Sequence, residues 1–153
     1  MRCGFGSDAK RGLRAERGAV AVEFAILVPV FLLLVFGIMD FGHAWYMKQM
    51  VSNASREGAR YGVRYTTNTE GNHLIPTSFS PTIASWVINQ YSSLLPSDAN
   101  LQVTPGGAGY TSGTAGADLS VAVTATKHWW VVGSLLGLGP TKDILATTWM
   151  KIE

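Results

Sequence analysis

The sequence predicts an α+β fold, in which a long N-terminal helix, partly transmembrane, precedes a small domain with a three- to four-stranded antiparallel sheet. Two patterns predict this architecture. An apolar run near the N-terminus is long enough for a membrane helix, and segments near the C-terminus alternate between apolar and polar residues, as half-buried strands do. At 153 residues, the chain has room for one membrane helix and one small domain.

The apolar run extends from Ala19 to Met39 and contains one charged residue, Glu23, among its 21 residues. About 20 apolar residues allow a helix to cross a bilayer core of roughly 30 Å. A carboxylate in such a segment costs on the order of 2.5–3.5 kcal/mol on insertion scales, so Glu23 is a candidate functional residue. Because Glu23 lies only about 6 Å from the start of the run, its carboxylate can also reach towards the lipid headgroups.

A basic leader, residues 1–18, precedes the apolar run. It contains five cationic and two anionic residues, namely Arg2, Lys10, Arg11, Arg14 and Arg17 against Asp8 and Glu16. By the positive-inside rule, this leader stays in the cytoplasm and the chain after about residue 40 is exported. Because the leader is short and adjoins the predicted span, no nucleic-acid partner is expected. The single cysteine, Cys3, lies in the leader, so the exported part relies on packing rather than disulfides.

Beyond the membrane, the helix is predicted to continue over residues 40–65. Trp45 and Tyr46 fall where the aromatic residues of a membrane interface are expected. The same segment has a small residue at every fourth position: Ala54, Gly58 and Gly62. This small-residue stripe predicts a face against which another helix or the chain's own domain packs closely. The alternative is a solvated face with incidental glycines.

The remaining sequence predicts a linker, residues 66–80, and an exported α+β domain, residues 81–153. Within the domain, a helix is predicted from Pro81 to Leu95, with proline at a favoured early position. Strands are predicted over residues 100–104, 118–127 and 144–152. The glycine-rich stretch 105–116 lacks the Gly-Lys-Ser/Thr of a phosphate loop and predicts a flexible hairpin connection. Residues 129–138 are apolar but too few to span a membrane.

Neither catalysis nor a metal or other cofactor is predicted. The three histidines, His43, His73 and His128, stand far apart in the sequence, each without a second ligand at metal-binding spacing. The exported part has no cysteine nucleophile and no serine-elbow motif. The sequence therefore favours a structural or binding protein over an enzyme.

Gly18, followed by four small or apolar residues, Glu23 and the aromatic Phe24, resembles the processing site of type IV prepilin-like proteins. The longer stretch from Arg17 to Gly42 resembles the TadE-like pseudopilins of tight-adherence (Tad) pilus systems, and the likeness continues over residues 53–62. Phe24 departs from the related major pilins, which usually have Tyr there. Phe keeps the aromatic ring, so the change does not put processing in doubt.

This resemblance implies that a prepilin peptidase cuts after Gly18 and leaves Ala19 as the mature N-terminus. Gly18 has no side chain, so its backbone can enter a narrow protease cleft. The resemblance also implies that Glu23 pairs with the new amino group of Ala19 on a neighbouring subunit. Such a pair would set the axial register of packed helices, since desolvation offsets much of its Coulomb energy.

The function implied is that of a minor pilin or pseudopilin, a structural component or initiator of Tad-type pilus assembly and adhesion. Its partners would be the membrane, the prepilin peptidase, other pilins and pseudopilins, a platform membrane protein and an assembly ATPase. The protein would be a single-pass protein of the bacterial inner membrane, with a cytoplasmic N-terminus and an exported C-terminal domain, or a subunit of the pilus. The alternative is a stable single-pass envelope protein whose exported domain binds a partner through Trp129 and Trp130.

Overall fold

The structure, a computed structural model, describes the backbone of residues 8–152 and the side chains of residues 18–152. The first seven residues of the predicted leader, including Cys3, lie outside the described residues. The chain divides into two compact units, Met1–Met39 and Asp40–Glu153. One helix, α1, covers Asp8–Val63 and so contributes to both units.

Helix α1 begins well before Ala19, where the sequence predicted its start. Residues 8–17 are rich in alanine, arginine, lysine and glutamate, which have high helix propensity, and this explains the extension. At its other end, α1 stops at Val63, two residues before the predicted Tyr65. Pro29 lies inside the helix, as expected for a membrane helix in which neighbouring groups compensate for the lost hydrogen bond.

The second unit contains a three-stranded antiparallel sheet, which confirms the predicted fold class. Its strands are β1 (Gln102–Gly106), β2 (Asp118–His128) and β3 (Thr141–Lys151), in the spatial order β1-β2-β3. Val123 at the centre of β2 pairs with Val103 of β1 and Ala146 of β3. Three short helices complete the unit, namely α2 (Ile83–Tyr91), α3 (Ala108–Ser112) and α4 (Val132–Leu135).

The core of the second unit lies between one face of β2, helix α2 and the C-terminal part of α1. Alternate residues of β2 are fully buried, as the alternation in the sequence predicted. The buried apolar residues include Leu119, Val121, Val123 and Ala125 of β2, Met47, Val51 and Ala54 of α1, and Ile83 and Val87 of α2. This packing fixes the second half of α1 to the sheet.

Several element boundaries differ from the predictions for physical reasons. Pro81 lies before helix α2 rather than within its first turn, because the Thr82 hydroxyl accepts a hydrogen bond from the Ser85 N–H and caps the helix. Strand β1 continues through Pro105, which is compatible with an edge strand because one side of its backbone has no partner strand. The glycine-rich connection contains helix α3, which ends at Ser112 and is followed by Gly113 as its C-cap, with a φ of 63°.

The polar residues 66–80 contain a β-bridge between Thr67 and His73 and a 3₁₀ turn over Pro76–Ser78. Phe79 is buried, and its ring packs edge-on against Tyr61 of α1 at a centroid distance of 5.7 Å. The Tyr61 ring also stacks on Trp86 of α2 at 4.9 Å. These aromatic contacts hold the segment against α1 and α2.

Candidate functional surfaces

The N-terminal unit offers one candidate surface, the apolar part of α1. Within the described residues, one helix is long and apolar enough to cross a membrane, and no residue of its most apolar window is buried. Its large apolar side chains are exposed all around the helix. A helix that is apolar on every side is compatible with an environment of lipid or of other apolar helices. A groove of about 520 Å³ runs along it, lined by Phe24, Leu27, Val28, Val30, Phe31 and Leu34.

The residues of the predicted processing site all lie on α1. Gly18 is helical, and a Cβ added to it would meet nothing within 4 Å, so neither packing nor an unusual backbone conformation requires glycine there. Glu23 is exposed, and Phe24 begins the apolar groove. A protease that binds an extended backbone would have to unwind the helix at Gly18. Glycine lowers the cost of unwinding by about 1 kcal/mol relative to alanine.

The small-residue stripe packs inside the second unit. Ala54 is fully buried. A Cβ on Gly58 would lie 2.8 Å from a methyl of Val87, and one on Gly62 would lie 2.5 Å from a methyl of Leu119. Of the two partners considered for this stripe, the structure places the chain's own α2 and β2 against it. The stripe is therefore not an open surface of this subunit.

The second candidate site is centred on Asp40, which the sequence reasoning did not identify. The Asp40 carboxylate is fully buried and accepts a hydrogen bond from Lys127 Nζ at 3.1 Å. It also accepts from the backbone N–H groups of Trp130 at 3.2 Å, Val131 at 2.9 Å and Val132 at 3.1 Å. Lys127 Nζ donates further to the His128 carbonyl. Asp40 thus holds the start of helix α4 through three successive amides.

The hydrogen bonds determine the charge state of Asp40. Burial by itself raises the pKa of its carboxyl, but the N–H groups of Val131, Val132 and Trp130, together with Lys127, outweigh this effect and hold the pKa well below its usual range. The carboxylate is therefore ionised at every physiological pH. The sequence did contain a signal for this pair, because Lys127 is in phase with the buried residues Leu119 to Ala125 of β2.

Asp40 fixes a closed loop, residues 129–140, which we call the tryptophan loop. The Trp129 N–H donates to the Pro140 carbonyl at 3.0 Å and the Leu138 N–H donates to the Gly133 carbonyl at 2.9 Å. A Cβ on Gly133 would lie 2.5 Å from the Gly139 carbonyl oxygen, so the two sides of the loop touch. Trp129 is half-buried, whereas Trp130 is 60% exposed.

The structure brings two of the three histidines to one groove. His43, Asp98, His128 and Trp130 line a groove of about 330 Å³. The His43 ring stacks on Trp130 at 5.5 Å, and His128 Nε2 lies 4.0 Å from Asp98 Oδ2. Burial, followed by the nearby Lys127 charge, lowers the pKa of His43. Among the residues that the structure describes, no three His, Cys, Asp or Glu side chains are grouped to hold a metal ion.

The N-terminal part of the chain is similar to a known protein family. Residues 18–60 match the family model of the TadE-like proteins, which confirms the resemblance drawn from the sequence. The match begins at Gly18, covers the apolar helix and ends inside the small-residue stripe. No curated protein and no solved structure matches the chain. The TadE-like family is structural rather than enzymatic.

Proposed function

We propose that this chain is a minor pilin or pseudopilin that initiates, or becomes part of, a Tad-type pilus used in adhesion. The observation that carries the proposal is the TadE-like match, which begins at Gly18 and covers an exposed apolar helix with Glu23 as its lone charge between residues 19 and 39. The protein resides in the bacterial inner membrane through residues 19–39. Its leader, residues 1–18, faces the cytoplasm, and the domain that follows is exported.

Maturation consists of cleavage after Gly18 by a prepilin peptidase. The scissile bond lies in a helix, at a residue whose missing side chain both weakens the helix locally and leaves room for a narrow cleft. Cleavage removes the basic leader and leaves the apolar helix on the mature protein, with Ala19 at its N-terminus. The new amino group then lies one helical turn from Glu23 of the same chain and is also free to meet Glu23 of a neighbour.

Assembly uses the segment 19–39 rather than the small-residue stripe. The stripe is occupied by α2 and β2 of the same subunit, so close packing with other pilin helices falls to the exposed apolar part of α1. Phe24, Leu27, Phe31 and Leu34, which line the groove described above, follow one another at three- and four-residue spacing. We call this row of side chains the apolar ridge. Glu23 beside this ridge pairs with the Ala19 amine of a neighbour and selects one axial register.

The proposed partners follow from the same mechanism. Other pilins and pseudopilins pack against the ridge, and the prepilin peptidase acts on Gly18. A platform membrane protein and a cytoplasmic ATPase act indirectly, because moving an apolar helix out of lipid costs free energy that an assembly motor supplies. The alternative is a stable single-pass envelope protein with an exported partner-binding domain, which the exposure of Trp130 favours.

The mature N-terminus separates the two functions. Mass spectrometry of the protein extracted from the membranes of its native host should find Ala19 first, and Gly18→Val should leave the full-length chain. Gly42→Val is the matched control. Both glycines lie in α1, and a Cβ added at either one meets nothing within 4 Å. A wild-type chain that still begins with the leader would reject the pilin proposal in favour of the envelope protein.

A further inference from the structure

The tryptophan loop exposes apolar side chains although hydrogen bonds close its backbone. Trp130, Leu135, Leu136 and Leu138 are each more than half exposed. The sequence has no charged residue from Trp129 to Thr141, and lysines flank this stretch at positions 127 and 142. Hydrogen bonds across the loop and the tight contact at Gly133 fix its shape, so the apolar groups are held outwards by the fold itself.

The loop lies next to the end of the membrane span. Asp40 is joined covalently to Met39, the last residue of the apolar run, and consecutive Cα atoms are about 3.8 Å apart. The Asp40 carboxylate contacts the N–H groups of Trp130, Val131 and Val132 at 2.9–3.2 Å. The N–H groups at the start of the loop therefore remain within about 10 Å of the Met39 Cα, whatever orientation the second unit takes.

The surface beside the loop has the chemistry of a membrane interface. Phe41 and Trp45, on the first turns of α1 after the span, are exposed, and their rings stack at 6.4 Å. They share a groove of about 220 Å³ with Trp129 and Lys142. Lys48 also lines it, and its Nζ donates to the Leu145 carbonyl at 2.7 Å. Aromatic rings favour the headgroup region of a bilayer, and lysine side chains extend to lipid phosphates from such positions.

We propose that the tryptophan loop is a second membrane contact, which inserts into the interface of the leaflet where the span ends. Trp130 and the exposed leucines enter the boundary between headgroups and acyl chains, while Lys142 approaches the phosphates. The buried Asp40–Lys127 pair holds the start of the loop at the residue that follows the span. The proposal depends on residues 19–39 spanning a membrane and is independent of pilus assembly.

Site-directed spin labelling in vesicles tests this contact. Two variants of the full chain are made, one with Leu136→Cys and one with Trp149→Cys, each also carrying Cys3→Ser so that a single cysteine takes the spin label. Each labelled variant is reconstituted into vesicles of phosphatidylethanolamine and phosphatidylglycerol. These two side chains are equally exposed, at 64% each, so they form a matched pair. Trp149 lies eight residues along β3 from Thr141, about 26 Å at 3.3 Å per residue. Leu138→Cys gives a second position in the loop should Leu136→Cys fail to fold.

The label in the loop should be accessible to oxygen, which concentrates in lipid, and several-fold less accessible to a water-soluble nickel chelate than the label on β3. Equal nickel accessibility at the two positions would overturn the proposal. So would lipid exposure of both labels, which would indicate adsorption of the whole domain. Protection of the loop label from both reagents, increasing with protein density in the vesicles, would assign the surface to a second copy of the chain.

Discussion

The two parts of helix α1 differ in what surrounds them. Residues 18–39 expose nearly all of their large apolar side chains, whereas residues 40–63 bury Met47, Val51 and Ala54 in the core of the second unit. Residues 18–39 are uncharged except for Glu23 and carry bulky Leu, Phe and Val side chains. Residues 40–63 carry glycines at the positions where α2 and β2 approach the helix. A single helix thus serves two purposes. Its second part is committed to the subunit, and its first part remains free for lipid and other helices.

This comparison predicts that substitutions in the two parts produce different defects. Changes in residues 40–63 should lower the free energy of unfolding of the second unit. Changes in residues 18–39 should leave that free energy unchanged and affect processing or assembly.

The largest loss of stability is expected for Asp40→Asn. The change leaves the Lys127 ammonium buried without an ionised partner, and breaking a buried pair in this way costs about 3–5 kcal/mol. The Asn side-chain oxygen still accepts from a backbone N–H, so we expect a loss near the lower limit, about 3 kcal/mol. Urea unfolding of the detergent-solubilised full chain, followed by tryptophan fluorescence, measures it.

Asp98→Asn is the control, because the Asp98 side chain is 59% exposed. The advantage of the wild type over Asp40→Asn should also depend on pH. Since the pKa of Asp40 is lowered in the fold, its contribution is present above the ordinary value of 3.8 and declines as the pH falls below it. Equal stabilities of Asp40→Asn and Asp98→Asn at neutral pH would show that the buried pair does not hold the domain together.

A smaller loss is expected for Gly62→Ala. The added Cβ would lie 2.5 Å from Leu119 Cδ2 and 2.7 Å from Ile83 Cδ1, so both side chains must move. Overpacking of this kind typically costs 1–3 kcal/mol, and we expect about 1 kcal/mol because the contacts are terminal methyl groups. Gly42→Ala, with open space around the new Cβ, should be stabilising by about 0.5–1 kcal/mol through helix propensity. The same sign for both variants would contradict the packing described for the stripe.

Much of this architecture follows from periodicity. The alternation of Leu119, Val121 and Val123 predicts strand β2 and its buried face, and the 21-residue apolar run predicts the membrane-spanning part of α1. Periodicity is informative here because burial on one face of an element repeats along the sequence. The stripe of Ala54, Gly58 and Gly62 likewise indicates a close approach, but it contains no information on whether the approaching element belongs to the same chain.

The Asp40 site could not be assembled from the sequence in the same way. Its partners are 87 to 92 residues away, and three of them are backbone N–H groups, which have no residue-specific signature. Lys127 at a buried position of β2 requires an anionic partner, yet nothing in its neighbourhood indicates which acid supplies it. Helix α4 is similarly unpredictable, because four residues without a side-chain cap give no helical period.

Glu23→Gln should have the smallest effect on folding and still impair assembly. Glu23 is exposed on the part of α1 that lies outside the second unit, so the free energy of unfolding of the second unit should not change. A neutral residue makes the segment more apolar, so membrane insertion should be at least as efficient. In the proposed maturation cleavage depends on Gly18, so it should persist in this variant. The interaction that we propose to be lost is the pairing with the Ala19 amine of a neighbour, and pilus-dependent adherence should therefore fall. Membrane level, mature N-terminus and adherence are measured together, with Val22→Ala as the control. Normal adherence at normal protein level would show that the carboxylate does not set the register of the helices, and the first part of α1 would then assemble through its apolar ridge alone.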